Sequence, residues 1–167
     1  MRKLAIFVVL CCACMFSGSA QAQDANPNSV TTSCTFDDGR QVSVQYNNSG
    51  AKTEEPRNAK PWRPGGAPML LFTQTALTVN KTEIAPGAYS MWIIPEKKGW
   101  TLAINKDVKP ESPYDQGQDL VRASMDLGEL SNPLKQPEVG FAHVAPKECN
   151  MRVYYGKTGA WAEFEEK

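Results

Sequence analysis

The chain has 167 residues, with 18 Lys+Arg against 18 Asp+Glu and a single histidine. That balance gives no electrostatic reason for a nucleic-acid or anionic-membrane partner. Hydrophobic content of 41% with four Trp, five Tyr and six Phe excludes a mainly disordered chain, and one imidazole excludes His-rich metal sites and any mechanism that needs two.

The N-terminus reads as an export signal. Met1-Arg2-Lys3 is a short positive segment, residues 4–16 are an apolar run of 13, and residues 17–22 end in Ala20-Gln21-Ala22, a small-x-small cleavage pattern. The run is too short to cross ~30 Å of hydrocarbon, and no later stretch is long enough to be a transmembrane segment. The expectation is a signal peptide over residues 1–22 cleaved after Ala22, a flexible leader over 23–30, and a single domain over 31–167, periplasmic or secreted. Removing residues 1–22 leaves 145 residues with 16 Lys+Arg against 18 Asp+Glu, a formal net charge of −2. That length suits one domain with a real core.

Cys11, Cys12 and Cys14 raise a competing reading, a lipoprotein anchored through Cys14. A lipobox wants a Leu-like residue three before the cysteine, where this chain has Cys11, so apolar filler of a cleaved signal is preferred. Cys34 and Cys149 remain and predict one disulfide in an oxidising compartment. A redox-active pair is the alternative, but the close C-x-x-C spacing is missing.

After the leader, apolar residues repeat with period two between turn signals. Residues 31–36 and 40–46 flank Asp37-Asp38-Gly39, a hairpin signal, with Val42, Val44 and Tyr46 on one face. Residues 47–68 are rich in Gly, Pro, Asn and charge, a long loop of the kind that carries function. Strands are expected at 69–74, 76–79, 82–84 and 88–94, the last closed by Pro95, with Glu96-Lys97-Lys98-Gly99 as a hairpin loop into Trp100, Leu102 and Ile104. Residues 107–118 form a second polar loop. Further strands are expected at 120–127, 138–144, 151–155 and 160–164, with a turn at 156–159 and a short helix as the one alternative at 127–134. Nine or ten short strands predict an all-β antiparallel sandwich or jelly-roll-like barrel with little helix.

No motif assigns a reaction. The chain lacks G-x-S-x-G and both phosphate-loop patterns. His143 shares a face with Phe141 and reads first as a packed or edge residue. Asp115 and Asp119, in YDQGQD, fit a calcium loop poorly, and pairing of Asp119 with Arg122 is the simpler role. No cofactor and no metal site is expected. Trp62 and Arg63 in KPWRPGG either stack on a ligand or, for Trp62, plug one end of the sandwich.

The segments Pro61-Trp62-Arg63, Ile84-Ala85-Pro86-Gly87-Ala88-Tyr89-Ser90, Ile93-Ile94-Pro95, the strand from Trp100 to Lys106, Tyr114-Asp115 and Asp119-Leu120-Val121-Arg122 resemble an exported bacterial family known as domain of unknown function 2911. The combination of P-G-x-Y-S, W-T-x-x-x-N-K and D-x-x-R is specific, and residues 151–164 are similar to the family's final hairpin. The resemblance implies an exported β-rich domain and no established activity. Members resemble W-R-x-G-A-N-E-A-T after the Trp-Arg, where this chain has Gly65-Gly66-Ala67-Pro68-Met69-Leu70, which implies that any polar site there is lost or changed.

The resulting expectation is a monomeric, non-enzymatic binding or interaction module of the cell envelope, for a carbohydrate or protein ligand. Trp62, Arg63, Tyr114, Asp115, Asp119 and Arg122 are its expected contact residues. The alternatives are a hydrolase using Asp115 or Asp119 with His143, and a purely structural envelope protein.

Overall fold

A computed structural model describes residues 28–48, 55–109 and 112–167. The signal peptide, its cleavage point, Cys14 and most of the leader lie outside the described residues. Nine strands form among the described ones: β1 (Ser29–Thr35), β2 (Gln41–Asn47), β3 (Met69–Thr73), β4 (Leu77–Val79), β5 (Thr82–Ile84), β6 (Gly87–Glu96), β7 (Gly99–Asn105), β8 (Asp119–Ala145) and β9 (Glu148–Glu166). They are hydrogen-bonded in the order β1-β2-β3-β6-β7-β8-β9-β4-β5, and every pairing is antiparallel. β8 pairs with β7 up to Met125 and with β9 from Asp126, so the ribbon turns there from one layer into the other. The result is a β-sandwich with β1 and β5 as edges, not a closed barrel.

The alternation read from the sequence builds the core. Val42 and Val44, Leu102 and Ile104, and Val121 and Ala123 from one layer meet Leu77, Val79, Met151, Val153 and Phe164 from the other. Between β3 and β4 the chain changes layer through a buried bend, where Thr73 Oγ1 donates to the Thr75 carbonyl (2.6 Å) and accepts from its amide (3.2 Å). Asn80 and Lys81 both have positive φ (47° and 64°), the geometry of a two-residue hairpin turn between β4 and β5.

Five local expectations are corrected. Pro95 does not close β6 but pairs within it, opposite Trp100, and the hairpin loop shrinks to Lys97-Lys98 because Glu96 pairs with Gly99. The segment 127–134 is strand, not helix: Leu127, Gly128 and Glu129 pair with Ala160, Gly159 and Thr158. For the same reason residues 156–159 are no turn but part of β9, and β8 and β9 are each one long strand where two were expected. The register between them shifts after Glu129 and again after Leu134, and Pro133 and Pro137 fall in those irregularities, where a missing N–H breaks no ladder.

Cys34 and Cys149 form the expected disulfide, with Cα atoms 6.4 Å apart. It ties β1 to β9 beside the β8–β9 turn, where Asp37 N–H donates to the Pro146 carbonyl (3.0 Å) and Glu166 N–H to that of Lys147 (2.7 Å). A disulfide fits an extracytoplasmic location. Among the described residues no helix is long and apolar enough to cross a membrane.

Candidate functional site

β6 and β7 are buried on both faces. Met91 and Ile93 enter the core, while Trp92, Ile94 and Ala103 form a second apolar cluster on the outer face. A strand buried on both sides needs a cover, and the loop between β7 and β8 supplies it. Ser90 Oγ donates to the Asp107 carbonyl (2.5 Å), and the Tyr114 ring packs on Trp92 at 5.3 Å.

Asn105, the last residue of β7, organises that loop from a position only 2% exposed. Its Nδ2 donates to the Asp115 carbonyl (2.7 Å) and to Asp119 Oδ1 (3.2 Å), and its Oδ1 accepts from the Asp107 amide (2.8 Å). Asp107 in turn accepts from the Lys109 amide, and this bond, with one from the Ser112 side chain, holds its carboxyl below the ordinary range. Asp115 caps the one-turn 3-10 helix Gln116–Gln118, its Oδ1 accepting from the Gly117 amide (2.8 Å).

Tyr114, Asp119 and Arg122 then close into a triad. The Tyr114 hydroxyl donates to Asp119 Oδ2 (2.5 Å), and Arg122 Nη1 donates both to Asp119 Oδ2 (2.9 Å) and to the Tyr114 hydroxyl (2.6 Å). The Asp119 side chain is 5% exposed and that of Arg122 36%, so a buried carboxylate steers an accessible guanidinium. Burial works to lower the Arg122 value, and its bonds to Asp119 and Tyr114 outweigh this and raise it.

Burial, reinforced by the hydrogen bond to Asp119 and that carboxylate's charge, pushes the Tyr114 phenol up to about 12. The folded state therefore holds this proton more tightly than the unfolded state, whose phenol titrates at about 10. Its contribution to stability is complete below about pH 10 and is lost as pH rises through about 12. A spectrophotometric phenolate titration of the folded protein should show a step near pH 12 that is missing in Tyr114→Phe. An unchanged titration in the variant would mean that the phenol is not held this way.

Beside the triad opens a cleft of about 580 Å³, lined by Ala59, Pro61, Ile94, Glu96, Tyr114, Asp115, Gln116 and Arg122. Its far wall is pinned from behind by Trp62. The Trp62 amide donates to the Ile93 carbonyl (2.6 Å) and its carbonyl accepts from the Ile93 amide (3.2 Å), continuing the line of β3 along β6. The Trp62 ring is buried in the core against Trp100 (5.9 Å) and Tyr155 (5.4 Å). Arg63 turns the other way, its guanidinium carbon 5.5 Å from the centre of the Trp92 ring.

The chain leaves this wall through a turn at Pro64–Gly66, where Gly65 has φ 78° and lies against Asn47: a Cβ would come within 1.6 Å of the Asn47 carbonyl oxygen. Gly65→Ala should cost about 2–3 kcal/mol, from the left-handed backbone and the forced shift of β2. Chemical denaturation measures it, and a loss below about 0.5 kcal/mol would contradict this packing.

Of the expected residues, the structure brings Tyr114, Asp119 and Arg122 into one network, sets Asp115 on the cleft rim and Arg63 over Trp92, and buries Trp62. It does not bring His143 to Asp115 or Asp119. His143 lies at the other end of β8, its Nε2 3.5 Å from Asp37 Oδ1. Among the described residues no group of three His, Cys, Asp or Glu side chains is placed to hold a metal ion. The sequence places Asn105 and Trp92 within expected strands and singles out neither as a site residue. The signal for more was the continuous apolar run 91–94, which marks a strand covered on both faces, with a polar loop at 107–118 after the next strand to supply the cover.

No curated protein and no solved structure matches the chain. One family model does, described as "Protein of unknown function (DUF2911)", over residues 27–164. That span runs from the residue before the first described one to Phe164 in β9 and includes the whole network around Asn105, so the chain belongs to DUF2911, a bacterial family of unknown function.

Proposed function

We propose that this protein is a non-enzymatic binding module of the cell envelope, and that the cleft beside Tyr114, Asp119 and Arg122, with Asp115 and Arg63 at its margins, is its contact region. The observation that carries this reading is the state of Arg122. Only its Nη1 is engaged among the described residues, which leaves Nε and Nη2 as donors on an accessible group held rigid from below. The nearby carboxylates serve the scaffold: Asp119 accepts from Asn105, Tyr114 and Arg122, and Asp115 caps a turn. A preformed polar fork over an apolar floor of Ile94 and Pro61 suits recognition.

Thermal melts of the purified protein against sugars, cell-wall fragments and peptides test the reading. A ligand at a hundredfold excess over its Kd adds about 2.7 kcal/mol and raises the midpoint by about 5–10 °C. Glu96→Ala and Gln116→Ala remove cleft side chains that make no side-chain bond among the described residues. They should abolish the shift while leaving the ligand-free midpoint in place. No shift with any class, or a shift indifferent to both variants, would overturn the proposal.

A further inference from the structure

A second groove, of about 310 Å³, lies between the β4–β5 turn and the outer faces of β8 and β9, walled by Asp126, Trp161, Glu163 and Glu165. Strand β8 lends residues to both this groove and the first cleft. Along β8, Val121, Ala123 and Met125 enter the core, while Arg122, Ser124 and Asp126 face outward. Arg122 lines the first cleft; Ser124 and Asp126 line the second. Arg122 and Asp126 are four residues apart, at most ~13 Å of extended strand and longer than one sugar ring, with the turn of β8 from one layer into the other falling between Met125 and Asp126. At the junction Asn80 Nδ2 donates to the Arg122 carbonyl (2.9 Å), which fixes the β4–β5 turn as the second groove's wall.

We infer that the two grooves are successive subsites for one linear, uncharged oligosaccharide laid along the outward face of β8. The inference rests on the reading of the first cleft as a binding site and names its ligand class. Charge argues against a polyanion: the two linings hold five carboxylates, of Glu96, Asp115, Asp126, Glu163 and Glu165, against only Lys81 and Arg122. Burial and the neighbouring Glu148 and Glu165 carboxylates push the Glu163 carboxyl up, so a further negative charge there is opposed.

Hydroxyl groups meet the same surface well. Each can donate to a carboxylate and accept from Arg122, Lys81 or Asn80, and a polyol offers both functions at every position. Trp161 supplies the apolar element. It is half-buried, its six-membered ring lying across Gly128, where a Cβ would stand 3.1 Å from it. A glycine at that position seats the indole in the groove wall, where it offers apolar area to the carbon face of a sugar.

Calorimetric titration of the full protein with glucose, cellobiose, cellohexaose, chitohexaose and hexagalacturonate tests this. One neutral hexasaccharide should bind at least about tenfold more tightly than its own short fragment, because the second subsite acts at high effective concentration. Trp161→Ala, and separately the double variant Glu163→Gln/Glu165→Gln in case the indole is needed for folding, should reduce the hexamer to the affinity of the short fragment. Fragment binding should stay as it was, and hexagalacturonate should bind more weakly than either neutral hexamer. Equal affinities for short and long sugars, or a preference for the polyanion, would overturn the extended site while leaving the first cleft intact. Absence of any saccharide binding, with a melt shift from a peptide still lost in Gln116→Ala, would overturn the ligand class alone. Failure of every melt shift would remove the underlying reading with it.

Discussion

Reduction of the Cys34–Cys149 disulfide, or its replacement by serines, should lower stability by about 4–5 kcal/mol, since the bridge spans 115 residues of sequence. The size follows from the loop: in the chain-entropy model, crosslinking ends this far apart removes much of the unfolded chain's freedom. For a domain of this size, the midpoint should drop by about 10–20 °C. Three other contacts hold the same end of the sandwich: the Asp37–Pro146 and Glu166–Lys147 backbone bonds, and Arg40 Nε 3.1 Å from Glu166 Oε1. The reduced protein should therefore retain its fold at low temperature and keep its far-ultraviolet circular dichroism. Paired melts with and without reductant measure the effect. A drop of under about 3 °C would mean that the unfolded chain is already restricted near both cysteines.

Trp62→Ala should cost about 3–5 kcal/mol, the range for truncating a large core aromatic. At 3% exposure, Trp62 fills the space between Trp100 and Tyr155 and fixes the Ala59–Pro61 wall through its backbone pairing with Ile93. Trp62→Phe should recover part of the loss, because a phenyl ring refills much of the space between Trp100 and Tyr155. An exposed stacking residue would behave differently, with truncation changing stability by less than about 0.5 kcal/mol. Equilibrium denaturation of the two variants separates the cases. A near-neutral Trp62→Ala would contradict the buried placement and return this residue to the ligand side of the cleft.

The parts of the fold that were legible in the sequence are those governed by neighbours in the chain. Asp37-Asp38-Gly39 sits between two alternating runs and makes the β1–β2 hairpin, with Val42, Val44 and Tyr46 on the buried face. Two cysteines in the expected mature chain leave one possible bridge. The long β8–β9 ribbon was not legible. Asn132-Pro133 and the glycines at 156 and 159 carry local signals for breaks, and only pairing across the ribbon, with its register shifts, overrides them.

The candidate site divides along the same line. Asp119 and Arg122 are three residues apart, so their ion pair was readable. Tyr114 joins them because Asn105 folds the intervening loop back on β7, a bond set that leaves no periodic trace, while the cover over Trp92 shows only as the continuous apolar run 91–94. Ala67 and Pro68, where the resemblance implies a changed segment, follow the Gly65 turn. With Leu70 and Tyr46 they line a small pocket apart from the proposed cleft.

Chemical-shift mapping with whichever neutral hexasaccharide binds more tightly, cellohexaose or chitohexaose, tests the placement of the binding face most directly. The largest changes should fall on the Gln116 side-chain amide, the Arg122 Nε–H and the Trp161 indole N–H, with the backbone amides of β1 and β2 unmoved. Changes centred instead on the Tyr46, Leu134 and Pro137 surface, with the cleft silent, would contradict it.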